Sequence, residues 1–229
     1  MNKLYTAVGR MQFKGRNQGM RCPMVILNNR EYILDIQEMM VWSLLNWRIL
    51  SEDEIRTLYE RKVRETEYMS HRPTEECMNR LVRRGLVAEG NGETGAYSLY
   101  DLLSNLYVIP IAENLLLRLI SFVRLTVCER IPYSVTKQLF RKDKRNSEEQ
   151  KIMALANQAI LSTAEIIKCS NLGAYEFETE DELIDLLYHD EYTTSENIAH
   201  TVRFLPQCRP VLTSVANLYL RRQIIFERM

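Results

Sequence analysis

The sequence predicts a mainly α-helical protein in two parts: a three-helix unit closed by a small β ribbon, then a C-terminal helical domain. Three observations predict it. Apolar residues recur at helical spacing from about residue 31. A basic turn and four glycines then interrupt them in "RLVRRGLVAEGNGETGAYSL" (80–99), and helical spacing resumes beyond Tyr100.

The 229 residues are enough for one or two packed cores. Basic and acidic residues balance at 30 each, so global charge points to neither nucleic acid nor an acidic substrate. Local charge is uneven. The first thirty residues hold Lys3, Arg10, Lys14, Arg16, Arg21 and Arg30 and no acid, whereas residues 175–191 hold eight acids and no base. The basic start fits nucleic-acid contact or a mobile solvated arm. Short β-like runs, "LYTAVGRMQF" and "MVIL", flank a Gly- and Pro-punctuated stretch, so residues 1–30 read as a basic arm or small, loosely attached β element.

Residues 31–100 carry the three-helix unit. "EYILDIQEMMVWSLLNWRIL" sets Ile33, Ile36, Met40, Leu44 and Trp47 on one helical face. Trp42 and Trp47, five apart, cannot face the same way, so one is core and the other partly exposed. Ser51 and Glu54 form a capping box for a second helix, whose buried face continues through Ile55, Leu58, Tyr59 and Lys62 or Val63. Pro73 opens a third helix with Met78, Leu81 and Val82 turned inward, and Gly85 ends it in the left-handed conformation. Leu86-Val87 and Ala96–Leu99 read as two strands joined by "EGNGETG", with Asn91-Gly92 as the turn.

Residues 101–229 read as helices near 101–107, 112–129, 133–141, 147–169, 179–189, 194–203 and 208–227, an oligomerisation or partner-binding domain. The helix at 112–129 is apolar on nearly every side, which requires central burial or a second subunit. The run 107–128 does not read as a membrane span. Glu113, Arg118 and Arg124 interrupt it, and a central arginine costs roughly 2.5–3.5 kcal/mol on insertion. No internal repeat is read along the chain.

Chemistry-bearing motifs are sparse. Cys22, Cys77, Cys128, Cys169 and Cys208 are odd in number and never spaced as CxxC, which suits reduced thiols of a cytoplasmic protein. The start is polar and basic, unlike a secretory signal. His71, His189 and His200 are scattered, and no P-loop, GxGxxG or GxSxG occurs. Neither an enzyme nor a metal or cofactor is expected.

Helix, capped helix, third helix, glycine and ribbon is an order that resembles the winged helix-turn-helix superfamily. Leu81, Val82-Arg83-Arg84, Gly85 and Leu86-Val87 resemble the end of the recognition helix and the first wing strand of its bacterial regulators, Val82 departing by being apolar. The resemblance covers residues 31–100 and implies a DNA-binding transcriptional regulator. Its reading face would be Arg72, Asn79, Arg80, Arg83 and Arg84, with asparagine suited to adenine and arginine to phosphate or guanine. Arg56, Arg61, Lys62 and Arg64 would approach the backbone of double-stranded DNA. A homodimer is implied, since two linked half-sites gain affinity. Glu75-Glu76 and a ribbon tip without Lys or Arg stand against this reading. Winged helices also hold proteins, so an adaptor without DNA binding is the rival, with a small-molecule sensor through the C-terminal helices behind it.

Overall fold

A computed structural model describes residues 2–15, 21–66, 72–111, 145–189 and 192–228. Among these, α-helices surround three antiparallel sheets of three strands each, and one contiguous apolar core runs through them.

β1 (Asn2–Ala7) leads into a three-stranded ribbon of β2 (Arg10–Gly15), β3 (Arg21–Leu27) and β4 (Arg30–Ile33), whose last two strands turn through Asn28 and Asn29 at positive φ. Then follow α1 (Ile36–Leu45), β5 (Leu50–Ser51), α2 (Glu52–Arg64), α3 (Thr74–Arg83) and β6 (Val87–Gly92). β1 runs antiparallel between β5 and β6, with Tyr5, Ala7 and Val8 buried. The expected loose arm is therefore in part the centre of a sheet, because the last three residues of β1, Tyr5, Thr6 and Ala7, are all buried and both its edges are hydrogen-bonded.

The helices follow the expected pattern with one shift. Asp35 caps α1 through a capping box with Glu38, so that helix starts at residue 36. Its buried side is Val41, Trp42, Leu44 and Leu45, while Ile33 and Ile36, placed by spacing on the inner face, are exposed. Trp42 is buried and donates its indole N–H to the Leu86 carbonyl at 3.0 Å; Trp47 is half-buried. The Ser51–Glu54 capping box is formed, and Ile55 and Tyr59 are buried. α3 buries Cys77, Met78 and Leu81, and Gly85 after it has φ 72°.

The expected wing is absent. Residues 96–99 lie in α4 (Gly95–Leu103), capped by Thr94, rather than in a second strand. "AYSLYDLL" alternates only briefly, and it places Ser98, Leu102 and Leu103 on one helical face that is buried. α4 lies directly against β6. A Cβ on Gly90 would stand 2.4 Å from the Leu102 nitrogen and the Ser98 carbonyl oxygen, and one on Gly92 2.5 Å from the Ser98 nitrogen. These glycines serve close backbone approach, not a ribbon tip. The sheet position a second wing strand would fill belongs to β1.

Beyond α4 the expected helices are cut by strands. Residues 107–110 form β7 (Tyr107–Pro110) where the end of a helix was expected. The expected helix 147–169 divides into α5 (Ser147–Gln158) and α6 (Thr163–Leu172) around β8 (Leu161–Ser162). α7 (Glu180–Leu187) and α8 (Ser195–Val202) lie within their expected spans. The last expected helix ends early: α9 (Cys208–Leu220) stops before Arg222, at φ 61°, and β9 (Ile224–Glu227) follows. The helices expected at 112–129 and 133–141 fall outside the described residues. Among the described residues no helix is long and apolar enough to cross a membrane.

This second half repeats the first, which corrects the reading of a chain without internal repeats. Asp35, Glu38, Ser51 and Glu54, the two capping boxes of the first unit, stand 111 residues before Asn146, Glu149, Ser162 and Glu165, the two of the second. Around them "NWRILSEDEI" (46–55) matches "NQAILSTAEI" (157–166) at six of ten positions. The sheets match too: β7 lies between β8 and β9 as β1 lies between β5 and β6. Leu4 faces Ser51 and Gly90 in the first sheet, and Tyr107 faces Ser162 and Glu227 in the second. α9 is thus the counterpart of α3, and Arg222 takes the left-handed place of Gly85, 137 residues on.

The units are joined through Tyr219 of α9. Its buried hydroxyl accepts the Trp47 N–H at 3.0 Å and lies 3.2 Å from the Leu45 carbonyl and 3.3 Å from that of Ala7. Its ring stacks on Phe226 with centroids 4.4 Å apart.

Candidate functional site

The expected reading face, Arg72, Asn79, Arg80, Arg83 and Arg84, is divided among three environments. Three of its arginines turn back on the start of α1. Arg72 pairs with Asp35 at 2.8 Å and with Glu76, one turn along, at 3.3 Å. Arg80 and Arg84 hold the two oxygens of Glu38 at 2.8 and 2.9 Å, and Arg84 also donates to the Ile33 carbonyl at 2.7 Å. Glu38 is only 1% exposed, so its charge is compensated by these two guanidiniums and by the Asp35 N–H. Burial opposes ionisation of Asp35, yet the Glu38 N–H and the Arg72 guanidinium hold it below the usual carboxylate range. The cluster fastens α3 to α1, with its cations already neutralised.

Asn79 instead lines a cleft of about 180 Å³ between β1, α2 and α3. Glu52, Glu75 and Glu89 line the same cleft, with Lys3 and Arg56, and Arg56 is held by Glu75 at 3.0 Å. An acid-lined cleft is a poor seat for a phosphate backbone. Arg83 stays exposed, and among the described residues no acid lies in ion-pair reach of it.

Two further surfaces carry positive charge. The first is the ribbon of β2 and β3, which pair from Arg10 with Ile26 to Gly15 with Arg21. Arg10, Gln12, Phe13 and Lys14 are all exposed on it, Phe13 by 57%. Lys14 pairs with Glu31 at 2.9 Å, but both are solvated and the pair is worth about 1 kcal/mol or less.

The second surface was not legible without the repeat. α9 exposes Arg209, Thr213 and Leu220, with Asn217 half-buried between them. These correspond to Arg72, Glu76, Arg83 and Arg80 of the first unit. Only one of the cationic contacts of the first unit is kept: Arg221, the counterpart of Arg84, pairs with Glu149 at 3.1 Å, and Glu149 is as buried as Glu38. The capping residue here is the neutral Asn146, and Arg80 is replaced by Asn217. The signal in the sequence is the pair of "ILSxxEI" strings, which marks the repeat and not the place of α9.

A cleft of about 330 Å³ separates α4 from α8, lined by Tyr97, Tyr100, Asp101, His200 and Arg203. The Arg203 guanidinium sits 4.5 Å above the Tyr97 ring, and the Tyr100 hydroxyl donates to the Ala199 carbonyl. Cys77 and Cys169 are buried and their thiols pushed up by that burial, Cys169 to about 12. Among the described residues no cluster of three or more His, Cys, Asp or Glu is placed to hold a metal.

No model of a known protein family matches this sequence, and neither a curated protein nor a solved structure is recognisably similar to it.

Proposed function

We propose that the chain is a DNA-binding regulator made of two winged-helix units, in each of which an N-terminal strand replaces the second strand of the wing. The observation that carries the DNA reading is the ribbon. Within a first thirty residues that hold six bases and no acid, the β2–β3 strands of the ribbon set Arg10, Gln12, Phe13 and Lys14 in solvent. A basic β ribbon can enter a groove or follow phosphates, and its affinity then falls steeply with salt.

Because β1 is central to its sheet, charge substitution tests this better than removal of the N-terminal residues. Wild-type protein should bind a labelled random-sequence duplex at low salt and release it as salt rises. Arg10→Ala with Lys14→Ala should lower the slope of log K against log salt by about two. Fluorescence anisotropy at several salt concentrations measures it. An unchanged slope removes the ribbon from the interface, and absence of binding at low salt leaves the adaptor reading.

The cleft between α4 and α8 favours an additional role as a sensor. A guanidinium over a tyrosine ring, with a histidine beside it and the acids Asp101 and Glu196 in the same lining, suits a small aromatic ligand that bears one carboxylate and one hydrogen-bond donor. Salicylate should raise the melting temperature of the wild type and not of Arg203→Ala. Equal shifts in both would remove the cleft from consideration.

A further inference from the structure

We infer that the principal DNA-reading helix is α9 of the second unit rather than α3 of the first; this rests on the DNA-binding reading proposed above. The two helices hold equivalent places, each following a pair of capped helices and ending at a left-handed residue before a strand. They differ in how their cations are used.

On α3 the exposed stripe alternates in sign. Arg72 is held by Asp35 and by Glu76, Arg80 by Glu38, and Glu75 holds Arg56. A phosphate backbone approaching this stripe would meet the acids and would have to break buried or half-buried pairs to recruit the arginines. On α9 the matching positions are Arg209, Thr213, Asn217 and Leu220. Thr213 stands where Glu76 stands on α3, so the i,i+4 partner of the N-terminal arginine is a hydroxyl, which donates to the Arg209 carbonyl at 2.9 Å and leaves the guanidinium alone. No acid among the described residues lies in ion-pair reach of Arg209.

The surroundings agree. Residues 197–226 hold Arg203, Arg209, Arg221 and Arg222 and not one aspartate or glutamate. Of these, Arg221 is tied to Glu149, and Arg222 lies over the Trp47 ring at 5.3 Å. Arg203 lies over the Tyr97 ring at 4.5 Å, so of these four Arg209 is the cation left available to phosphate. Asn217, in the middle of the stripe, has the donor and acceptor pair that an adenine edge accepts, and Leu220 can meet a thymine methyl group. The stripe spans three turns of one helix face, the footprint a helix presents to a major groove.

The decisive variants lie on the surface and leave the core untouched. Arg209→Ala should lower the salt slope by about one, with weaker binding to every duplex. Thr213→Glu installs on α9 the acid that α3 already carries, at i,i+4 from Arg209. It should weaken binding at least as much as Arg209→Ala. Arg83→Ala on α3 should have a smaller effect than either. Each variant is to be measured on the full chain with a labelled random-sequence duplex, its fold checked by circular dichroism and melting temperature. If wild type binds, and Arg209→Ala and Thr213→Glu bind like it while Arg83→Ala does not, α3 is the reader and the inference is overturned. If wild type does not bind the duplex at all, the DNA reading itself fails, which is a separate outcome.

Discussion

Gly90→Val should destabilise the protein by at least about 3 kcal/mol, beyond the usual cost of overpacking, and deprive the first unit of a cooperative fold. The new side chain would meet backbone, the Leu102 nitrogen and the Ser98 carbonyl oxygen, both 2.4 Å from its Cβ. Backbone cannot rotate aside as a side chain can, so α4 must lift off β6. Gly92→Ala should act in the same direction, against the Ser98 nitrogen. Gly95→Ala is the control: its Cβ meets nothing within 4 Å, at the first position of a helix, so stability should hold or rise slightly. Urea unfolding followed by circular dichroism distinguishes these. Had residues 87–99 formed a two-stranded wing, a valine at position 90 would have been tolerated. Wild-type stability in Gly90→Val would therefore refute the seat of α4 on β6.

The second large effect is at Tyr219. Tyr219→Ala should cost about 3–5 kcal/mol through the cavity left beside Phe226. Tyr219→Phe isolates the hydroxyl. It leaves the Trp47 N–H and two carbonyls of the first unit without their shared partner, and should cost about 1–3 kcal/mol. The phenol also makes stability depend on alkaline pH. Burial pushes Tyr219 up to about 12 from an ordinary 10. The unfolded chain thus loses its proton first. The contribution of Tyr219 is complete below pH 10 and disappears as pH rises from 10 through 12. Tyr59 and Tyr100, raised to about 12 by burial, act in the same window. Alkaline unfolding of Tyr219→Phe should be less steep than that of wild type; identical curves would show that the hydroxyl is solvated.

Local signals in the sequence were legible wherever one residue answers to its near neighbours. The Ser51–Glu54 box, the left-handed Gly85 and the inward Leu81 all satisfy backbone or packing needs within a few residues, and all are found as expected. What depends on distant partners was not legible. "AYSL" suits a strand or a helix, and the choice rests with β6 and its small glycines. "LYTA" became a central strand only because β5 and β6 bring hydrogen-bonding edges to it. Arg72, Arg80 and Arg84 are basic in any reading, but their use depends on Asp35 and Glu38, more than thirty residues away. The repeat is hidden in the sequence for a physical reason as well. Insertion of α7 and α8 moves the third helix of the second unit, and the glycine that marks the end of α3 is an arginine at φ 61° after α9.

The central place of β1 and β7 also sets an order of events during synthesis. Asn2 finds its partner in Gly92, and Tyr107 finds its own in Glu227. Each sheet is closed by contacts about as long-range as its unit allows, which is the topology of slow folding. At ribosomal rates of about 5–20 residues per second, β1 waits roughly 5–20 s for β6 to be made. During that wait β1 has an unpaired edge and apolar side chains without cover, the condition in which a nascent chain is most open to aggregation. A permuted chain in which β1 followed β6 through a short turn would replace that long closure with a hairpin, and the same sheet would form from neighbours.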